Sequence, residues 1–145
     1  MSGHEDYLIA LSEQLCPISW DEGLSSLSPS EQIFVTVWEL EAEINNGGFS
    51  QYYFNSAGDN AKAVVEALEA IGAPLMAGIV RLANALFPEG PPSDQDERTD
   101  LLNSLDSETE EALDGLTGEF CAYPENLSDL LHEFVQEHQD AIRGS

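Results

Sequence analysis

Ser28-Pro29-Ser30-Glu31 constrains this chain more than any other segment, because it fixes where a long helix begins. Serine followed three positions later by glutamate is a capping box, and proline is pre-organised for the first helical position. Ile33, Phe34, Val37, Leu40 and Ile44 then share one helical face, while Glu39 and Glu43 project from the other side. Asn45-Asn46-Gly47-Gly48 stops the helix, since glycine takes the left-handed conformation a helix end uses. A helix with a set start, face and stop needs apolar partners to cover it. No period-two strand pattern of useful length is present to supply a sheet, so the expected fold is all-α, a single domain over residues 1–145 with about seven helices.

The remaining helices follow from spacing and punctuation. Tyr7, Leu8, Leu11 and Leu15 predict a first helix that Pro17 should end, leaving Trp20 and Leu27 in a loop. Residues 49–55 predict a short aromatic helix. Residues 61–71 and 74–87 predict two more, separated by Gly72, and the second is apolar nearly all round, which places it at the expected centre of the core. The Pro- and Gly-rich stretch 88–93 divides this neutral middle from an acidic C-terminal subregion. Residues 93–145 hold 15 acids against 2 arginines, and helices are expected over 96–105, 107–120 and 127–142.

Charge now enters with force: 28 Asp and Glu stand against 4 Lys and Arg, a formal charge of −24. With 42% hydrophobic residues the chain still has material for one core, so the acidity does not imply disorder. A compact chain of this length has a radius of gyration of ~14.6 Å, equivalent to a sphere ~38 Å across. Over that distance duplex DNA displays about 22 phosphates at ~1.7 Å per charge, comparable to the carboxylate supply here.

Several functions are disfavoured on the same residues. Basic patches are absent, and real nucleic acid would be repelled. His132 and Glu133 begin a zincin-like pattern, but His138 lies six positions on and faces elsewhere; Asp94 and Asp96 resemble an EF-hand start, but Arg98, Thr99 and Leu105 spoil its later positions. No metal, no cofactor and no catalytic residue is expected, and no nucleophile elbow is present. Cys16 and Cys121 match no redox or metal spacing and read as reduced thiols. The N-terminal residues 1–6 lack a signal-peptide pattern and no long apolar run exists, so the expected location is cytoplasmic, with no membrane partner.

Asp129, Glu133 and Glu137 recur every four residues on the last predicted helix, with Asp140 three further on. Four residues rise ~6 Å, so one row has about half the charge density of a DNA strand. A neighbouring acidic helix must supply the rest, and Glu108, Glu110, Glu111, Asp114 and Glu119 on the preceding helix are its expected source. An ordinary solvated face would mix both signs. Glu41 differs: it falls between Phe34 and Val37 on the apolar side, so it should be partly buried and hydrogen-bonded, with the amides of the Asn-Asn-Gly-Gly turn as expected donors.

The segment Trp38-Glu39-Leu40-Glu41-Ala42-Glu43-Ile44-Asn45-Asn46-Gly47-Gly48-Phe49-Ser50-Gln51-Tyr52-Tyr53-Phe54-Asn55 resembles the bacterial DNA-mimic protein nineteen family. Ala67-Leu68, Ile71-Gly72-Ala73 and Phe87-Pro88 continue the resemblance, which covers roughly residues 28–90, and Tyr123-Pro124 before a closing helix fits the family's end. The resemblance implies a compact helical protein without known enzymatic activity, in a family named for a member whose carboxylates replace duplex phosphates and occupy a helix-turn-helix regulator. Glu41, Glu43, Asn46, Gly47, Gly48, Phe49, Gln51, Tyr52 and Asn55 are read as a structural signature that holds two helices together.

The expected function is therefore a double-stranded-DNA mimic that inhibits a basic DNA-binding protein, as a monomer or dimer. Charge display is expected from Glu39, Glu43, Glu108, Glu111, Asp114, Asp129, Glu133, Glu137 and Asp140. Two rivals use the same acidity: an immunity or antitoxin-like protein that blocks a basic nuclease, and a helical protein of a salt-loving host whose acids keep it hydrated.

Overall fold

The computed structural model describes residues 3–143; Met1 and Ser2, part of the stretch read for a targeting signal, lie outside the described residues, as do Gly144 and Ser145. Seven α-helices run in order: α1 (Gly3–Glu22), α2 (Pro29–Phe54), α3 (Ala63–Ala70), α4 (Pro74–Asn84), α5 (Gln95–Asn103), α6 (Ser107–Cys121) and α7 (Leu127–Glu137). Short 3-10 turns at Leu24–Ser26, Ser56–Asn60 and Gln139–Ala141 join or end them. Among the described residues the only extended pairing is an isolated bridge between Pro88 and Gly90.

The predicted start of α2 is met in full. Ser28 Oγ accepts from the Glu31 amide at 3.1 Å and Glu31 Oε1 accepts from the Ser28 amide at 2.9 Å. The predicted break is also present, at Gly47 (φ −157°, ψ 17°) and Gly48 (φ 76°, ψ −175°), so α2 is two helical segments meeting at a joint. Phe34, Val35, Val37, Leu40 and Ile44 from the first segment, and Phe49, Tyr52 and Tyr53 from the second, are buried. α2 packs against α1, α3, α5, α6 and α7, and so forms the centre of the molecule.

That corrects the expectation that residues 74–87 hold the centre. α4 packs on α3 and α6, burying Met76, Ala77, Ile79, Val80 and Ala83, but Leu75 and Leu82 are each 59% exposed. An apolar circumference does not guarantee burial when neighbours cover only one side.

Pro17 does not end α1, which continues to Glu22 and takes Trp20 with it. Proline costs the helix one hydrogen bond, yet Leu8, Leu11, Leu15 and Cys16 are all buried, and Trp20 beyond the proline donates its indole N–H to Glu39. Tertiary anchoring on both sides outweighs the local penalty. The helix ends instead at Gly23, whose φ of 92° suits glycine alone.

The last predicted helix is shorter than expected. α7 stops at Glu137, where His138 stacks on Phe134 at 4.1 Å and its Nδ1 lies 2.8 Å from the Phe134 carbonyl oxygen. Asp140 therefore sits in the following 3-10 turn and not on the helical row.

Candidate functional site

The joint in α2 is held by side chains on both of its arms. Glu43 Oε1 accepts from Gln51 Nε2 at 2.7 Å and from Asn55 Nδ2 at 2.9 Å, while Asn46 Nδ2 donates to Gln51 Oε1 at 3.3 Å. From outside, Thr117 on α6 accepts the Phe49 amide at 3.0 Å. A Cβ on Gly48 would meet Thr117 Oγ1 at a tight 3.2 Å, and the positive φ of 76° is what favours glycine there.

Arg98 fastens the far end of α2. Its guanidinium is fully buried and donates to the carbonyls of Tyr53 (2.6 Å), Asn55 (2.9 Å) and Pro92 (2.9 Å), and it pairs with Asp59 at 2.9 Å. Helix ends leave carbonyls without partners, and here one planar fork collects them. Gly58 lies so close that a Cβ there would sit 2.8 Å from Arg98 Nε and 2.6 Å from the Tyr52 carbonyl oxygen. Sequence reasoning met Arg98 only as a misfit in a metal loop; its long-range partners carry no local signal.

Glu41 is half-buried as expected, but its donor is different. Glu41 Oε2 accepts from the Tyr123 hydroxyl at 2.7 Å, and that hydroxyl accepts from Asn45 Nδ2 at 2.8 Å. The Asn-Asn-Gly-Gly turn thus reaches Glu41 only through Tyr123, and no backbone amide of the turn is used. Burial raises the Glu41 pKa, against the lowering effect of the tyrosine bond. Burial, helped by Glu41, pushes Tyr123 up to about 12. Tyr123 itself has φ 52°, a left-handed conformation rare outside glycine, held while its hydroxyl bridges Glu41 and Asn45.

The nine acids expected to display charge divide into two groups. Glu39 and Glu43 are half-buried and bonded: Glu39 Oε2 accepts the Trp20 indole N–H at 2.7 Å, and Glu43 clamps the joint. Burial raises the Glu39 pKa, the Trp20 bond opposes it, and the charge of Glu43 adds to the rise. Glu108, Glu111 and Asp114 on α6, Asp129, Glu133 and Glu137 on α7, and Asp140 beyond it are exposed. The two acidic helices are not packed side by side as expected. α6 lies on α2 and α4, whereas α7 lies mainly on α1 and touches α2 less, so the two rows share α2 beneath them without packing on each other.

Little positive charge answers these rows. Arg98 is paired with Asp59, Arg81 with Glu69 at 2.7 Å, and Arg143 with the buried Glu31 at 2.9 Å, so three of the four basic side chains are held in ion pairs. Arg143 also ties the segment after α7 to the start of α2, where Ser28 Oγ donates to the Ala141 carbonyl at 2.6 Å. Burial would raise the Glu31 pKa, but hydrogen bonds from Arg143 and Ser28 hold it below the usual carboxylate value.

Both cysteines are free; Cys121 is exposed, and the thiol of Cys16 is buried and pushed up to about 12 by that burial and by Glu39. Among the described residues no group of three or more His, Cys, Asp or Glu is placed to hold a metal ion, and no helix is long and apolar enough to cross a membrane.

Fold and geometry together define an acidic, all-helical protein built on a pinned, broken central helix with separate exposed carboxylate rows. The chain belongs to the DMP19-like protein family, whose model matches residues 25–138. No curated protein and no solved structure matches it.

Proposed function

We propose that this protein is a double-stranded-DNA mimic that occupies the DNA-reading surface of a basic partner, such as a helix-turn-helix regulator, and inhibits it. The observation that carries this reading is the exposure of Glu108, Glu111, Asp114, Asp129, Glu133, Glu137 and Asp140 on short, well-capped elements while most of the basic residues are consumed in ion pairs. Asp106 and Asn126 cap α6 and α7, accepting the Thr109 and Asp129 amides, so the carboxylates ride on ordered backbone. Rigid like charges pre-organise an anionic surface that a flexible acidic tail would have to order on binding. Family membership supports the same reading.

In this reading the protein works by occupancy and carries out no reaction. Association is steered by charge and weakens steeply with salt. The test is capture from host lysate at low salt, followed by elution with salt or with duplex DNA. A DNA-binding protein released by both supports mimicry. Partners that are only neutral or acidic, and indifferent to salt, overturn it.

A further inference from the structure

A cleft of about 720 Å³ opens between α1, the first segment of α2, the 3-10 turn after the end of α2 and Gln95 at the start of α5, within the ~300–1,000 Å³ range of small-ligand sites. Trp20 and Trp38 wall it, and Glu13, Glu39 and Glu43 supply carboxylates. Trp20 is 68% exposed, unusually so for an indole. Its N–H is already directed at Glu39, which fixes the ring beside the carboxylate.

The hydrogen bonding within the cleft is incomplete. Glu39 uses Oε2 for the indole and Glu43 uses Oε1 for both amides; among the described residues the second oxygen of each takes no protein donor, yet neither is sealed from solvent. Outside the cleft lining, the buried Tyr52 hydroxyl has no hydrogen-bond partner; burial opposes its ionisation, Arg98 favours it, and the charges of Glu39, Asp59 and Glu43 oppose it. A half-buried pair of carboxylates beside aromatic rings is a costly arrangement when empty and a favourable one around a cation.

We propose that this cleft binds a guanidinium group, either a free alkylguanidine or an arginine side chain of another protein. A planar guanidinium can stack on an indole while its N–H groups fork onto carboxylate oxygens, a combination that a hydrated ammonium performs less well. The inference stands on the cleft alone and not on the exposed acids of α6 and α7, so either can fail without the other.

Trp20 and Trp38 are the only tryptophans of the chain, so all indole emission reports from the cleft walls. Titration of the intact protein with agmatine at constant ionic strength should give a saturable fluorescence change. N-carbamoylputrescine, which keeps the ammonium and the shape of agmatine but carries a neutral urea in place of the guanidinium, should not. E39Q should weaken agmatine binding about tenfold, the scale of one charge-assisted hydrogen bond. E13Q, on an exposed side chain whose loss should not disturb folding, should weaken it about threefold by removing one nearby charge. E108Q on α6 should leave it unchanged. An arginine peptide bound at least tenfold more tightly than agmatine assigns a protein ligand, and equal affinity assigns a free one. A response that potassium chloride reproduces, or affinity unaltered in both E39Q and E13Q, overturns the proposal.

Discussion

The acids around α2 and those along α6 and α7 are the same residue types in the same chain, yet they do opposite work. Glu31, Glu41 and Glu43 each accept from identified donors and hold segments together, as Asp59 does against Arg98. Glu125 does the same for α4, taking the Leu75 and Met76 amides at 3.0 and 2.8 Å at the helix N-terminus, where negative charge is favoured. Glu133 and Glu137 stand exposed. The difference shows that net charge is a poor guide to function here: a carboxylate spent on a hydrogen bond inside the fold is no longer available to a partner.

The contrast can be broken most forcefully at Arg98. R98A leaves four carbonyls and Asp59 without their donor, and should destabilise the protein by about 3–5 kcal/mol in urea unfolding, as loss of one side of a buried pair does. Next in size, E43A removes both amide contacts across the joint and should cost about 1.5–3 kcal/mol, the range for hydrogen bonds to a charged group. E133A on the exposed row should change stability by less than about 0.5 kcal/mol in the same assay. Equal losses in E43A and E133A would erase the distinction between the two sets.

Acid titration sharpens the contrast further. Glu31 has a lowered pKa in the fold, so its contribution is present above the unfolded-state value and is lost as pH falls through the folded one. Glu39 and Glu41 have raised pKa values, so their contribution is fully present below the unfolded value and is lost as pH rises through the folded one. Chemical denaturation across the carboxylate range should therefore show E31Q weakening the acid dependence and E39Q removing an opposing slope. The smallest effect is that of salt. Added sodium chloride should raise the melting temperature modestly by screening self-repulsion, and less so in a variant whose seven exposed acids are neutralised.

Local signals were legible where neighbours in sequence are also partners in space. The capping box, the Gly47-Gly48 break and the side of α2 that enters the core all follow from residues within one or two turns of each other. Pro17 misled because buried leucines and the Trp20–Glu39 bond keep α1 helical past it. The apolar circumference of α4 misled because burial depends on what covers a face. Glu41 was legible as half-buried from its angular position, but its Tyr123 donor lies 82 positions away and left no trace nearby.

The sequence by itself determined that the chain would be helical, where its central helix starts and breaks, and that it would carry a large negative charge. Those properties follow from short-range sterics, caps, apolar spacing and composition. Only the tertiary structure decided which acids remain on display, because their donors arrive from distant positions: Trp20 to Glu39 across 19 residues, Arg143 to Glu31 across 112. It also decided that α6 packs against α4 and α7 against α1, with no side-by-side packing of the two, since helices settle where their apolar faces find cover, and charge rows go where those faces leave them.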